Sequence, residues 1–195
     1  MRDSIYIRLG LPLLVVCVVA GAGLAVTWTF TAPKIEAQAR EAERTSLAAV
    51  LPAAATFEAV TDAGTLAKAR AAAGDIGVDG VFRALDAAGQ PAGVGVLVAS
   101  RGYGGPIRMA VGLDRNGKVV GVTIVSMAET PGLGSKVVDD KSFLPRFNGL
   151  DSADAAKKVD TITGATKSSR GVRKGVEAAL AAYAALGVAG GGSAK

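Results

Sequence analysis

The chain of 195 residues carries 22 Lys plus Arg against 17 Asp plus Glu, a single Cys and no His. The missing imidazole excludes Ser-His-Asp and Cys-His nucleophilic pairs, His-held haem and imidazole-containing zinc sites, and one thiol excludes a four-thiolate iron–sulfur cluster. Half of the residues are hydrophobic, yet 38 Ala and 26 Gly make up a third of the chain, so bulky core side chains are few, and a net charge of +5 without a basic-aromatic cluster argues against nucleic-acid binding.

Leu9–Phe30 runs for 22 residues without a charge, long enough as a helix to cross a hydrocarbon layer of about 30 Å. Trp28 and Phe30 close it as an interfacial aromatic belt. Arg2 and Arg8 precede it, whereas Lys34–Arg44 balances three bases with three acids. The positive-inside bias therefore puts the N-terminus in the cytoplasm and the rest of the chain on the far side of the membrane. The competing reading is a secretory signal with a cleavage site at Ala20-Gly21-Ala22. Against it, the apolar stretch continues eight residues past that site.

Pro33 is expected to end the span, and Ile35–Leu51 reads as a separate, weakly amphipathic stalk helix. Residues 52–79 show no strong period and read as a surface segment with short helices. Val81–Leu85 and Val94–Ala99 flank turn residues and predict one hairpin. Ile107–Leu113 and Val119–Val125 predict a second, in which Asn116-Gly117 supplies positive φ angles. A loop over Glu129–Gly134, a helical patch near Phe143–Phe147 and a helix over Ser169–Leu186 with Val172, Val176, Leu180 and Tyr183 on one face follow. The region after the span is thus α+β, one antiparallel sheet with flanking helices.

Residues 161–169 hold five hydroxyl side chains at a Gly turn directly before that last helix. Ser168 or Ser169 is placed to cap it, and the same unpaired N–H groups can hold a phosphate. From the residues alone, a capped helix with solvated bases and an anion site both remain open.

Three ordered motifs carry a resemblance. Asp160–Ser168 resembles the flavinylation motif of the FMN-binding domain family, Glu129–Gly134 reproduces that family's E-T-P-G-L-G loop, and Tyr103-Gly104-Gly105-Pro106 with Asp114…Gly117-Lys118…Gly121-Val122 is similar to its central hairpin. The resemblance covers roughly residues 95–180. It implies FMN joined through its phosphate, as a phosphoester, to a hydroxyl of the motif by a separate flavin transferase. Alignment makes Ser168 the first choice of acceptor and Thr166 the alternative. Asp160 would position the motif or brace the turn, with Thr163, Gly164 and Ala165 forming it. Glu129, Thr130, Gly132 and Leu133 would lie against the flavin ring, and Met127 could touch its edge where relatives often carry a nearby His.

Among families with this domain, the single span and overall length resemble the G subunits of Rnf complexes, membrane ferredoxin:NAD oxidoreductases that couple electron flow to ion translocation. The C subunits of Na⁺-translocating NADH:quinone reductases are the alternative, and a non-redox membrane anchor is the reading from a different class. The resemblance implies an electron carrier without substrate turnover of its own, metal-free, partnered by the other subunits of a membrane oxidoreductase complex, in a bacterial inner membrane with its flavin domain periplasmic. The expected organisation is a cytoplasmic N-terminus over 1–8, a span over 9–31, a stalk helix and irregular segment over 32–79, the FMN-binding domain over 80–187 and a flexible tail over 188–195.

Overall fold

The computed structural model describes residues 3–129, 131–132 and 134–187. The expected tail therefore lies outside the described residues. Helix α1 spans Asp3–Val50 as one element, with Pro12 and Pro33 inside it. This corrects the expected break at Pro33. A proline removes one backbone bond and crowds the preceding turn, but the Ala, Glu, Gln and Arg that follow Pro33 favour helix, and the helix continues. Within the apolar stretch the hydroxyls of Thr27, Thr29 and Thr31 donate to the carbonyls of Gly23, Ala25 and Thr27, each at 2.9 Å, so no hydroxyl there needs water. Leu13, Val16, Leu24, Trp28 and Phe30 are all more than half exposed, and α1 is long and apolar enough to cross a membrane.

A compact unit begins at Glu43. Its sheet is an antiparallel meander in the order β1 (Thr56–Ala59), β2 (Gly77–Leu85), β3 (Pro91–Arg101), β4 (Pro106–Leu113) and β5 (Val119–Met127). Both expected hairpins are present, with Val81 opposite Val96 and Val111 opposite Val122. Their turns share one construction. Asp86 Oδ1 accepts from the amides of Ala88 and Gln90 at 2.9 and 2.8 Å, and Asp114 Oδ1 accepts from those of Asn116 and Lys118 at 2.8 and 2.9 Å. Gly89 and Gly117 have positive φ, and the bonds from Asp86 N to Gln90 O and from Asp114 N to Lys118 O, both 2.9 Å, enclose three residues rather than the two of the tightest hairpin turn.

Residues 52–79 are more ordered than their composition suggests. They contain β1, which pairs with β2, and helix α2 (Ala63–Ala73), which packs against the sheet and the last helix. Asp62 caps α2 by accepting from Thr65 N at 2.6 Å. Short helices α3 (Lys136–Asp139) and α4 (Ala153–Lys157) flank a 3-10 turn at Leu144–Phe147. Helix α5 runs over Thr166–Ala185.

Each face of the sheet carries its own core. On one, Val94, Val96, Val98, Met109 and Val111 pack with Val172, Val176, Leu180 and Tyr183 of α5. The four α5 positions read from the sequence are thus all buried, at 0, 0, 5 and 4% exposure. On the other, Leu47, Val50 and Leu51 at the end of α1 cover Leu97, Ala110 and Ala84. A row of glycines admits them. Gly95 stands opposite Gly112, and Gly112 opposite Gly121. A β-carbon on Gly95 or Gly112 would come within 2.5 Å of Leu47 Cδ2 or Val50 O.

Candidate flavin site

The site forms where three segments meet beyond one end of the sheet. The β3–β4 connection closes with Gly102 N donating to Gly105 O at 2.9 Å. Glu129, two residues past β5, reaches into that turn: its Oε1 accepts from Tyr103 N at 2.8 Å and its Oε2 from Gly104 N at 3.2 Å. Ser168, in the first turn of α5, donates its hydroxyl to Glu129 Oε2 at 3.1 Å. The carboxylate sits in a cage that only glycine permits, because a β-carbon at Gly102 or Gly134 would overlap it. Further along the loop Gly132, at φ 78°, donates its amide to Ser135 Oγ at 2.8 Å, and Ser135 donates to Asp139 Oδ2 at 2.8 Å.

The hydroxyl-rich motif folds into a turn with Gly164 at φ 81° and Ala165 N donating to Ile162 O at 3.0 Å. Neither Ser168 nor Ser169 caps α5, because the helix starts earlier, at Thr166, and its N-cap position is Ala165 without a side-chain bond. Ser169 instead bonds backwards. Its Oγ accepts from Ile162 N at 3.1 Å and donates to Ala165 O at 2.9 Å, which rivets the turn to the helix. Asp160 is exposed and makes no side-chain hydrogen bond among the described residues, so Ser169 does the bracing expected of it. Thr163 is exposed as well.

Between these segments lies a cleft of about 320 Å³, lined by Tyr103, Gly134 and the run 164–168. Glu129, Gly164, Ala165, Thr166 and Ser168 are thus brought together. Thr130 and Leu133 lie outside the described residues. Met127 packs on the main core rather than toward the cleft, because it ends β5 on the face that α5 covers. Two residues that the sequence does not assign to the site stand here, Tyr103 in the cleft lining and Lys136 beside Gly164 of its wall. Tyr103 stands 64% exposed at the turn, with Lys167 Nζ 5.3 Å from its ring centroid. Lys136 brings its ammonium over Gly164. The signal for Lys136 was its place two residues after the E-T-P-G-L-G loop.

Comparison with known families agrees with this geometry. A family described as the FMN-binding domain matches residues 102–181, the segment that builds the cleft, and one described as the RnfG N-terminal region matches residues 1–50. An FMN-binding domain is thus present over residues 102–181. Over 92% of each chain it is 29% identical to the G subunit of the Na(+)-translocating ferredoxin:NAD(+) oxidoreductase complex of Acetobacterium woodii. It is 38% identical to the G subunit of the ion-translocating oxidoreductase complex of Stutzerimonas stutzeri, over 48% of this chain and 46% of that one. Among solved structures, NqrC of Shewanella oneidensis is similar at a TM-score of 0.46 and 24% identity, covering 55% of this chain and 58% of that one.

The residues present fit an FMN-binding domain. Gly134 and Gly164 leave the walls bare where a β-carbon would strike Glu129 or Lys136. The amides of Thr166, Lys167 and Ser168 have no acceptor among the described residues, as the first helical N–H groups must, and they face an anion such as a phosphate favourably. The exposed Tyr103 ring offers a flat apolar surface to a flavin ring.

Proposed function

We propose that this chain is the flavin-bearing electron carrier of a membrane complex that couples electron transfer between ferredoxin and NAD to ion translocation. The matched FMN-binding domain and the similarity, over 92% of both chains, to a relative named as the G subunit of such a complex support that reading. FMN, when bound, supplies reversible electron transfer, so the chain needs no acid–base machinery of its own, consistent with the absence of His. Helix α1 anchors the chain in a bacterial inner membrane with the two arginines at its cytoplasmic end, and the domain from Glu43 onward is periplasmic.

The attachment is covalent, and Thr166 rather than Ser168 is the acceptor. The observation that carries this choice is the Ser168–Glu129 hydrogen bond: Ser168 is 1% exposed and its hydroxyl is already committed. Thr166 lines the cleft, is half-buried, and makes no side-chain hydrogen bond among the described residues. In the attachment its Oγ attacks the flavin-side phosphorus of FAD on the transferase. The Oγ–P bond forms, the bond from that phosphorus to the bridging oxygen breaks, AMP leaves with the bridging oxygen, and the hydroxyl proton passes to water. The resulting diester would be held by the amides of Thr166, Lys167 and Ser168, which have no acceptor among the described residues.

Mass spectrometry of the peptide spanning Val159–Arg170, from cells with an active transferase, tests the reading directly. The FMN mass addition is expected on Thr166, with loss of in-gel flavin fluorescence in Thr166→Ala and retention in Ser168→Ala. Labelling that survives Thr166→Ala and vanishes in Ser168→Ala would reverse the assignment. An unlabelled wild type would remove covalent attachment altogether.

A further inference from the structure

Lys136 stands against the attachment turn, and among the described residues its ammonium makes no side-chain hydrogen bond. It is half-buried at the start of α3, two residues beyond Gly134 of the cleft wall. Among the described residues it has no ion pair within 4.0 Å. The carboxylate on its own helix, Asp139, takes a hydrogen bond from Ser135 instead. Its Nζ lies 3.1 Å from the point a β-carbon of Gly164 would occupy, above the turn that delivers Thr166 to the cleft. Lys167, which does line the cleft, is drawn toward the Tyr103 ring.

We propose that Lys136 is the cationic ligand of the flavin phosphate, adding a full charge to the partial charge of the α5 amides. This rests on the flavin reading above and names the partner of one group in it. A phosphate at Thr166 brings negative charge to within one turn of the Glu129 carboxylate, and a helix start supplies only partial positive charge. A full cation closing on the phosphate would offset that repulsion, and an ammonium on a flexible stem suits a phosphate as a point charge. Gly164 then has two duties: its positive φ makes the turn, and its missing side chain lets Nζ approach.

The test uses the full-length protein in detergent, produced without the transferase, and titrates it with FMN and with riboflavin, which lacks the phosphate. Wild type is expected to prefer FMN, and Lys136→Met to lose about tenfold of its FMN affinity with riboflavin binding unchanged, while Lys136→Arg recovers most of the loss. Equal wild-type affinity for the two flavins, or a Lys136→Met protein that loses both equally, would overturn the assignment. In cells with the transferase, Lys136→Met should label more slowly than wild type. Failure of the attachment reading shows separately, as labelling that persists in Thr166→Ala, and the flavin comparison judges Lys136 in either case.

Discussion

Ser168 Oγ lies 3.1 Å from Glu129 Oε2, a bond across 39 residues of sequence that ties the start of α5 to the loop after β5. The same carboxylate holds the amides of Tyr103 and Gly104. One side chain therefore fixes three walls of the cleft. Glu129→Ala would leave those donors without their acceptor, at a cost of about 2–3 kcal/mol. Denaturant melts should show that loss, and hydrogen exchange should quicken at Tyr103 and Gly104 in particular. Unchanged exchange at those two amides would mean the turn holds itself.

A glycine of the sheet row and one in α2 predict substitutions of opposite sign. Gly112→Ala drives a methyl into Val50 O and should cost about 1–3 kcal/mol. Gly64→Ala, in α2, meets only Asp62 Oδ2 at an ordinary 3.4 Å and should stabilise by about 0.5 kcal/mol through the unfolded chain. Chemical denaturation of both variants checks the contrast.

Tyr183 is a second long-range tie. Its hydroxyl donates to Arg115 O at 2.9 Å, and its ring packs where a β-carbon on Gly117 would stand. Tyr183→Phe should cost about 1 kcal/mol near neutral pH. Burial, with Asp114 adding to it, raises the Tyr183 pKa above the ordinary phenol value. The unfolded chain therefore ionises first, and this contribution, whole below about pH 10, fades as pH rises beyond it. Alkaline melts of Tyr183→Phe should fall less steeply than those of wild type.

Acid acts through other groups. Hydrogen bonds from Thr65 lower the pKa of Asp62, those from Ser142 lower Asp140, and the bond from Lys157 lowers Asp154. Their stabilisation is complete above the ordinary carboxylate value of about 4 and is lost as pH falls through the lowered values. Stability followed from pH 7 to pH 3 should decline at the low end, and Asp62→Asn, which keeps a capping oxygen, should flatten that decline.

Much of this was legible in advance, and the reasons are local. Hairpin strands announce themselves by apolar stretches with turn residues between them, so β2 to β5 were readable from Val81, Val94, Ile107 and Val119. The α5 face was readable because Val172, Val176, Leu180 and Tyr183 repeat at helical spacing. Pro33 misled because proline is a local signal, whereas the helix around it is sustained by its neighbours. Residues 52–79 hid β1 and α2, because a four-residue edge strand and an Ala-rich helix carry almost no period and are held by β2 and α5. In the site, composition located the hydroxyls but not their partners. Only the fold shows that Ser168 is spent on Glu129 and that Lys136 reaches Gly164.

The end of α1 sets a practical limit on how the domain can be cut from its anchor. Leu47, Val50 and Leu51 form one of its two cores, seated on Gly95, Gly112 and Gly121. A fragment begun at Gly80, where the hairpins start, would bare that glycine-lined face to water and discard an edge strand as well. One begun at Glu43 keeps both, together with the Glu43–Arg108 ion pair at 2.9 Å.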